Sequence, residues 1–414
     1  MKKKLVAVLL TGAMAVSMVA CGSSAPAEKP ADAPAEEASA EEGEAAEETA
    51  PVEASDLKVG FVTSAAGAND TGYNKSAVDA IKEAADEYGF EYRVVEPSSS
   101  LTVGQAIEGL AEDGFNLIFN LEYDFAALID GTGATGNTPI AEQYPDTTFV
   151  IYNDNPNVNE DGSTKYSNVY SVMFNVNESS YLAGYLAVQT LENMDTLLPE
   201  GYKFQALDNG GRAIGFVGGT ESAGIRVYSY GYMEGIEAAA AEYDVTYDYY
   251  PTFDAGFVDS AAGNTTAGNM YQNGCNVVFA DCGNVGDGIT ERAEADGRLA
   301  IQTDADLDAT HPGFILTSVL KITGSPTRAI IDAKVDGSLS SMDNLLNYGL
   351  DSNATGITDL ATMTATVADA DVWAEIVEKV NDKAAKIASG EIVVTNAQVG
   401  DTFDPATCPH VVEK

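Results

Sequence analysis

The feature that most constrains this chain is the regular alternation of short apolar runs with helix-patterned segments, set out twice. From residue 57 the runs "KVGFVT" (58–63), "EYRVVE" (91–96), "NLIFNL" (116–121) and "TTFVIY" (147–152) alternate with helical stretches near 72–88, 103–113 and 125–144. A second series opens with "AIGFVGG" (213–219) and runs through "VTYDYY", "NVVFAD" and "RLAIQT" (298–303), again with helices between; after residue 304 the pattern continues with "FILTSVLK" (314–321). Short, nearly continuous apolar strands separated by helices demand parallel sheets covered on both faces. Two such series predict an α/β chain of two doubly wound parallel-sheet lobes. In such sheets ligands bind beyond the carboxyl ends of the strands. That places the turn after Thr63, the residues after Tyr152, "DCGNVGDG" and "TDADLD" at one edge, and predicts a hinge and a cleft between the lobes.

Ahead of this alternation the chain is different in kind. "MKKK" followed by "LVAVLLTGAMAVSMVA" reads as a secretory signal over 1–20, too short and wrongly flanked for a membrane span. The ending "SMVAC" resembles the lipobox of bacterial lipoproteins, which makes Cys21 the acylated first residue of the mature chain. Residues 22–55 carry many acids and almost nothing to fill a core, so 21–55 reads as a lipidated cysteine and an acidic, disordered tether. The remaining boundaries are a first lobe from 56–160 plus part of 305–345, a second from 161–304 plus part of 345–400, and a C-terminal tail at 401–414. The convincing helix "NESSYLAGYLAVQTLENM" (177–194) carries Ala183, Gly184 and Ala187, small residues that permit close packing.

Charge narrows the partners. A formal charge of −43 excludes most nucleic-acid binders, which need clustered cations against phosphates. Cys275 and Cys282 flank an apparent strand that would hold them about 20 Å apart, far beyond the reach of a disulfide. No spaced Cys/His set suggests a metal or another cofactor. The two histidines, His311 and His410, stand in no nucleophile–base pattern, so a secreted hydrolase is the weaker alternative and no catalytic residue is assigned.

Eight pieces, in order, carry a resemblance: "NDTGYNKSA" (69–77), "VNESSYLAGYLA" (176–187), "AIGFVGG", "YMEGIEA" (232–238), "CGNVGDGI" (282–289), "TDAD" (303–306), "TSVLK" (317–321) and "NYGLDSNATGI" (347–357). The chain resembles the basic membrane protein family of bacterial lipoproteins, the purine-nucleoside-binding components of ABC importers. The resemblance implies a fold like type I periplasmic binding proteins and an extracytoplasmic, lipid-anchored monomer that hands a nucleoside to a membrane permease. In the family's first motif, Asp-Asp-x-Ser-Phe-Asn, the Phe stacks on the base; here Asn69, Asp70, Gly72, Tyr73 and Asn74 occupy the corresponding positions. Tyr73 keeps an aromatic face and adds a hydroxyl, while Asn69 exchanges a charge for a donor. Asp304 falls on a ribose-binding Asp and Lys321 on a sugar-contacting Lys; Asn153 and Asp154 compete for the acid after the fourth strand.

The residues agree in kind with that reading. A nucleoside base wants an aromatic face, worth about 1–3 kcal/mol of stacking, and its ribose wants carboxylates and amides. A nucleotide would want several cations, and only Lys321 and Arg226 stand near the expected cleft. Asp70 reads equally as the cap of the following helix. Gly283 permits a tight turn and close backbone approach, and Phe253 or Phe257 is a candidate second stacking face. Another small neutral ligand, such as a sugar, remains the alternative use of the same fold.

Overall fold

The computed structural model describes residues 56–132, 138–207, 211–352 and 354–414. The signal segment, Cys21 and the acidic tether lie outside the described residues. Strands β1 (Lys58–Val62), β2 (Glu91–Val95), β3 (Leu117–Asn120), β4 (Thr148–Tyr152) and β5 (Val169–Phe174) come first along the chain. They are followed by β6 (Arg212–Gly218), β7 (Tyr247–Thr252), β8 (Cys275–Asp281), β9 (Leu299–Asp304) and β10 (Ile315–Lys321). Last come β11 (Leu345–Tyr348), β12 (Thr355–Ile357) and β13 (Val411–Glu413).

The helices are α1 (Tyr73–Tyr88), α2 (Val103–Glu112), α3 (Ala126–Ile129), α4 (Ile140–Gln143), α5 (Val176–Glu192) and α6 (Met194–Leu197). Beyond them are α7 (Ala223–Tyr243), α8 (Ser260–Gln272), α9 (Val285–Asp296), α10 (Gly324–Asp336), α11 (Ala361–Thr364) and α12 (Ala370–Ala388).

Two sheets result, in the orders β11-β5-β4-β3-β1-β2 and β12-β10-β9-β8-β6-β7-β13. Every pairing is parallel except β10 with β12. The two-lobed α/β reading is therefore what the chain adopts. Its boundaries need correction. The expected second lobe takes in residues 169–174, yet β5 hydrogen-bonds to β4 inside the first sheet, and β11 joins β5 there rather than the second lobe. The presumed tail is also structural: β13 pairs with β7 and extends the second sheet. The expected helix over 125–144 is replaced by the single turns α3 and α4: Gly131, just past α3, takes a left-handed conformation (φ 74°), and α4 starts only after Pro139.

Local chemistry sets the element ends. Gly89 ends α1 in the left-handed conformation, its N–H donating to the Ala85 carbonyl. α2 opens on a capping box: the Thr102 hydroxyl accepts from the Gln105 N–H, and the Gln105 side chain accepts from the Thr102 N–H. Thr102→Ala is expected to cost about 1 kcal/mol, read as a lower urea midpoint with an unchanged slope.

The core of the second lobe is built around α5, which is buried on nearly all sides. Its close contact with α7 depends on glycine. A Cβ on Gly184 would stand 2.3 Å from the Tyr232 carbonyl oxygen, and one on Gly235 2.0 Å from that of Tyr181. Cys275, Cys282 and Cys408 are free, buried thiols.

The chain passes between lobes at three places: β5 to α5, β10 to α10, and β11 to β12. α5 packs in the second lobe, whereas α10 packs on α1 in the first. Thr323 and Gly324 at the second crossing bond to the Tyr73 carbonyl and the Ser76 hydroxyl, so the hinge touches the start of α1 directly.

Candidate ligand-binding site

A cavity of about 670 Å³, open mouth included, lies between the lobes at the carboxyl ends of both sets of strands. The first lobe lines it with Ser64, Asp70, Tyr73, Glu122 and Tyr123, the second with Ile225, Phe257, Asp281, Gly283, Asp304 and Lys321.

The turn after β1 is held by its own polar residues. Asp70 is buried, and its two carboxylate oxygens accept from the backbone N–H groups of Gly72, Asn74 and Lys75 and from the Asn74 side chain. It thus caps the first turn of α1, where a carboxylate also meets the positive end of the helix, while still lining the cavity. Asn74 is wholly buried. Its Oδ1 accepts from the Ser64 N–H and its Nδ2 donates to Ser64 Oγ and Asp70. The expected reader is therefore a brace, because every polar atom of its amide is already used. Asn69 is exposed and does not line the cavity; neither does Asp154, also exposed, whose carboxylate accepts from the Asn155 N–H.

Tyr73 presents a half-buried ring whose hydroxyl is doubly engaged: it donates to the Leu121 carbonyl at 3.1 Å and accepts from Asn153 Nδ2. Asn153, expected in the cavity, stands behind this ring instead. It takes a left-handed conformation (φ 66°) and positions the phenol. Burial, with Tyr123 and Asp304 nearby, pushes the Tyr73 phenol well above its ordinary pKa, so it remains a neutral donor.

Three adjacent parallel strands of the second sheet end in charged residues: Lys321 on β10, Asp304 on β9 and Asp281 on β8. Neighbouring strands lie about 4.8 Å apart, so the three form a row. Asp304 has φ 72°, an uncommon conformation for a side-chain-bearing residue. Burial raises its pKa to about 6, tempered by Lys321 and increased by Asp70. Burial and then Asp304 push Asp281 well above the carboxylate range, against the pull of Lys321. Burial lowers the Lys321 ammonium, while Asp304 and Asp281 oppose that. Lys321 Nζ also lies 5.4 Å from the ring centroids of Tyr73 and Tyr228 and 5.8 Å from that of Phe174. Three aromatic rings stand around the cation, and the two acids act on it through space.

Of the two candidate second-lobe aromatics, Phe257 lines the cavity; Phe253 lies under the Arg226 guanidinium, which is paired with Glu221. Arg226 does not line the cavity. Where Tyr123 approaches α7, Gly224 leaves room for its hydroxyl, which would lie 3.0 Å from a Cβ there. Glu122, Tyr123, Ile225 and Asp281 escaped the sequence reading. Asp281 carried a usable signal, since it ends the run "NVVFAD" as Asp304 ends "LAIQTD". His311 pairs with Glu294 and His410 with Glu237, outside the cavity. Among the described residues no cluster of His, Cys, Asp or Glu is arranged to hold a metal ion.

Residues 57–398 match the Bmp family model, described as ABC transporter substrate-binding protein PnrA-like. The chain belongs to the Bmp family. A relative from Lactococcus lactis, the ABC transporter nucleoside-binding protein BmpA, is 29% identical over 321 residues, covering 72% of this chain and 81% of its own. Basic membrane protein A1 of Borrelia garinii is 25% identical over 332 residues, 79% of this chain and 85% of its own. Among solved structures, an ABC transporter solute-binding protein from Aeropyrum pernix superposes with a TM-score of 0.64 at 20% identity, over 82% of this chain and 93% of that one. An ABC transporter periplasmic solute-binding protein from Actinobacillus succinogenes, solved with bound D-allose, gives a TM-score of 0.53 at 13% identity, over 75% and 99%. Membership in the Bmp family makes this chain a substrate-binding component of an ABC transporter, with a small-molecule ligand and a permease as its partners. Its fold is that of the type I periplasmic binding proteins.

Proposed function

We propose that the protein binds a nucleoside, of the purine kind, in the interlobe cavity and delivers it to the permease from outside the cytoplasm, held to the membrane by a lipid on Cys21. One observation carries the ligand reading. A single cavity sets the Tyr73 ring beside a polar row of Lys321, Asp304 and Asp281, a face for a flat base next to partners for sugar hydroxyls. Phe257 offers a second apolar face from the opposite lobe. The name of the Lactococcus relative, a nucleoside-binding protein, supports the same ligand class. Closure of two lobes around a ligand is the general mechanism of such receptors, and the hinge contact between Thr323 and the start of α1 couples this cavity to that motion.

The test is calorimetric titration of the protein, stripped of endogenous ligand, with guanosine, adenosine, inosine, uridine, cytidine and ribose. Saturable one-to-one binding of nucleosides is expected. Free ribose should bind about 10- to 100-fold more weakly, having no base to stack. Folded, empty protein that binds none of the nucleosides would overturn the reading.

A further inference from the structure

Asp281 is the residue of this cavity whose chemistry the fold leaves unused. Its backbone is fixed, the carbonyl accepting from the Gly219 N–H at 2.9 Å. Its side chain is only 6% exposed, lines the cavity, and has an Oδ2 with no hydrogen-bond partner. Tyr228 Oη, 1% exposed beneath Lys321, is likewise unpartnered. A buried carboxylate oxygen without a donor sacrifices its hydration for nothing, and buried polar atoms left in this state call for an explanation. Asp70 in the same cavity shows the contrast: its oxygens are filled by four donors. Asp70 is fully paired, whereas Asp281 lines the same cavity with a buried oxygen that has no partner.

We propose that Asp281 is a specificity-determining residue: its Oδ2 accepts a hydrogen bond from a hydroxyl of the ligand's sugar, alongside Asp304, so that the site selects ligands bearing that hydroxyl over their deoxy counterparts. This rests on the nucleoside reading above. The placement is a consequence of topology. β8 and β9 are neighbouring parallel strands whose register continues to set Asp281 level with Thr303, one residue before Asp304; both acids line the cavity and can address two different hydroxyls of one ring.

The test pairs Asp281→Asn, which keeps the shape, with a ribonucleoside and its 2′-, 3′- and 5′-deoxy analogues. In the unmodified protein one analogue should bind about tenfold or more weakly than the ribonucleoside. In Asp281→Asn the ribonucleoside should weaken about tenfold while that analogue stays within about twofold, so that the discrimination is lost. The ligand-free variant should melt within a few degrees of the unmodified protein, because Oδ2 has no hydrogen bond to lose. Unaltered discrimination against every analogue, or a ligand-free variant that melts several degrees lower, would overturn the assignment. Silence of the unmodified protein toward all nucleosides would overturn this inference together with the nucleoside reading. Normal nucleoside binding with unaltered ratios in Asp281→Asn would overturn this one alone.

Discussion

Tyr73→Ala should lower nucleoside affinity by about 100-fold, the upper part of what base–aromatic stacking supplies, while Tyr73→Phe should stay within about fivefold. The two substitutions separate the ring from the hydroxyl. The ring borders the cavity, whereas the hydroxyl is spent on the Leu121 carbonyl and on Asn153, both behind it. Phenylalanine therefore keeps the platform and loses only the bonds that orient it. Alanine removes the platform and opens the space between α1 and the Lys321 ammonium, 5.4 Å from the ring centre. Calorimetry with the preferred nucleoside, beside melting curves of both variants, reads the difference. Affinity within about threefold of the unmodified protein for Tyr73→Ala would remove Tyr73 from the ligand's contacts.

The orienting pair illustrates what the sequence could and could not disclose. Strand and helix alternation is local, so nearly every buried strand of both lobes was legible, and the rule of carboxyl-end binding located the loops. The failures are long-range. β5 is an unbroken buried run joined to α5 through the single residue Asn175, with no loop between strand and helix. β11 is partly exposed, and β13 is three residues long; each exists only because a distant strand offers it an edge. At the site, residue type cannot say which way an amide faces. Asn74 and Asn153 have the chemistry of ligand readers but brace the turn and the tyrosine, whereas Asp281, one acid among many in so acidic a chain, faces the cavity. Asp304 and Lys321 were legible through the family resemblance, because their motifs coincide with strand ends.

Lys321→Met is the second substitution with a large expected effect, and it acts on stability as well as binding. Lys321 is 5% exposed and forms no ion pair within 4.0 Å among the described residues, yet it is the cation that lowers the pKa values of Asp304 and Asp281. Methionine keeps the apolar stem but ends one atom short of Nζ, so it loses the ammonium's approach to the three rings and leaves two buried acids without their counter-charge. Removing one side of a buried charge arrangement costs about 3–5 kcal/mol when both groups are fully desolvated. A loss of about 2–4 kcal/mol is expected at neutral pH, since the open mouth of this cavity admits some screening. The pH dependence identifies the cause. Asp304 titrates at about 6 in the folded protein, above its unfolded value, so the folded state binds the extra proton. Its contribution to stability therefore rises as pH falls from the folded value toward about 4. Without Lys321 that folded value moves higher still, and the deficit of the variant should be largest at pH 7–8 and shrink on acidification toward about 5. Urea unfolding of both proteins across this range measures it, and adding Asp304→Asn to Lys321→Met should recover most of the loss at neutral pH. A deficit independent of pH, not relieved by the second substitution, would mean that Lys321 supports the hinge through packing alone. In that case the row of charges at the ends of β8, β9 and β10 would not act as one electrostatic unit.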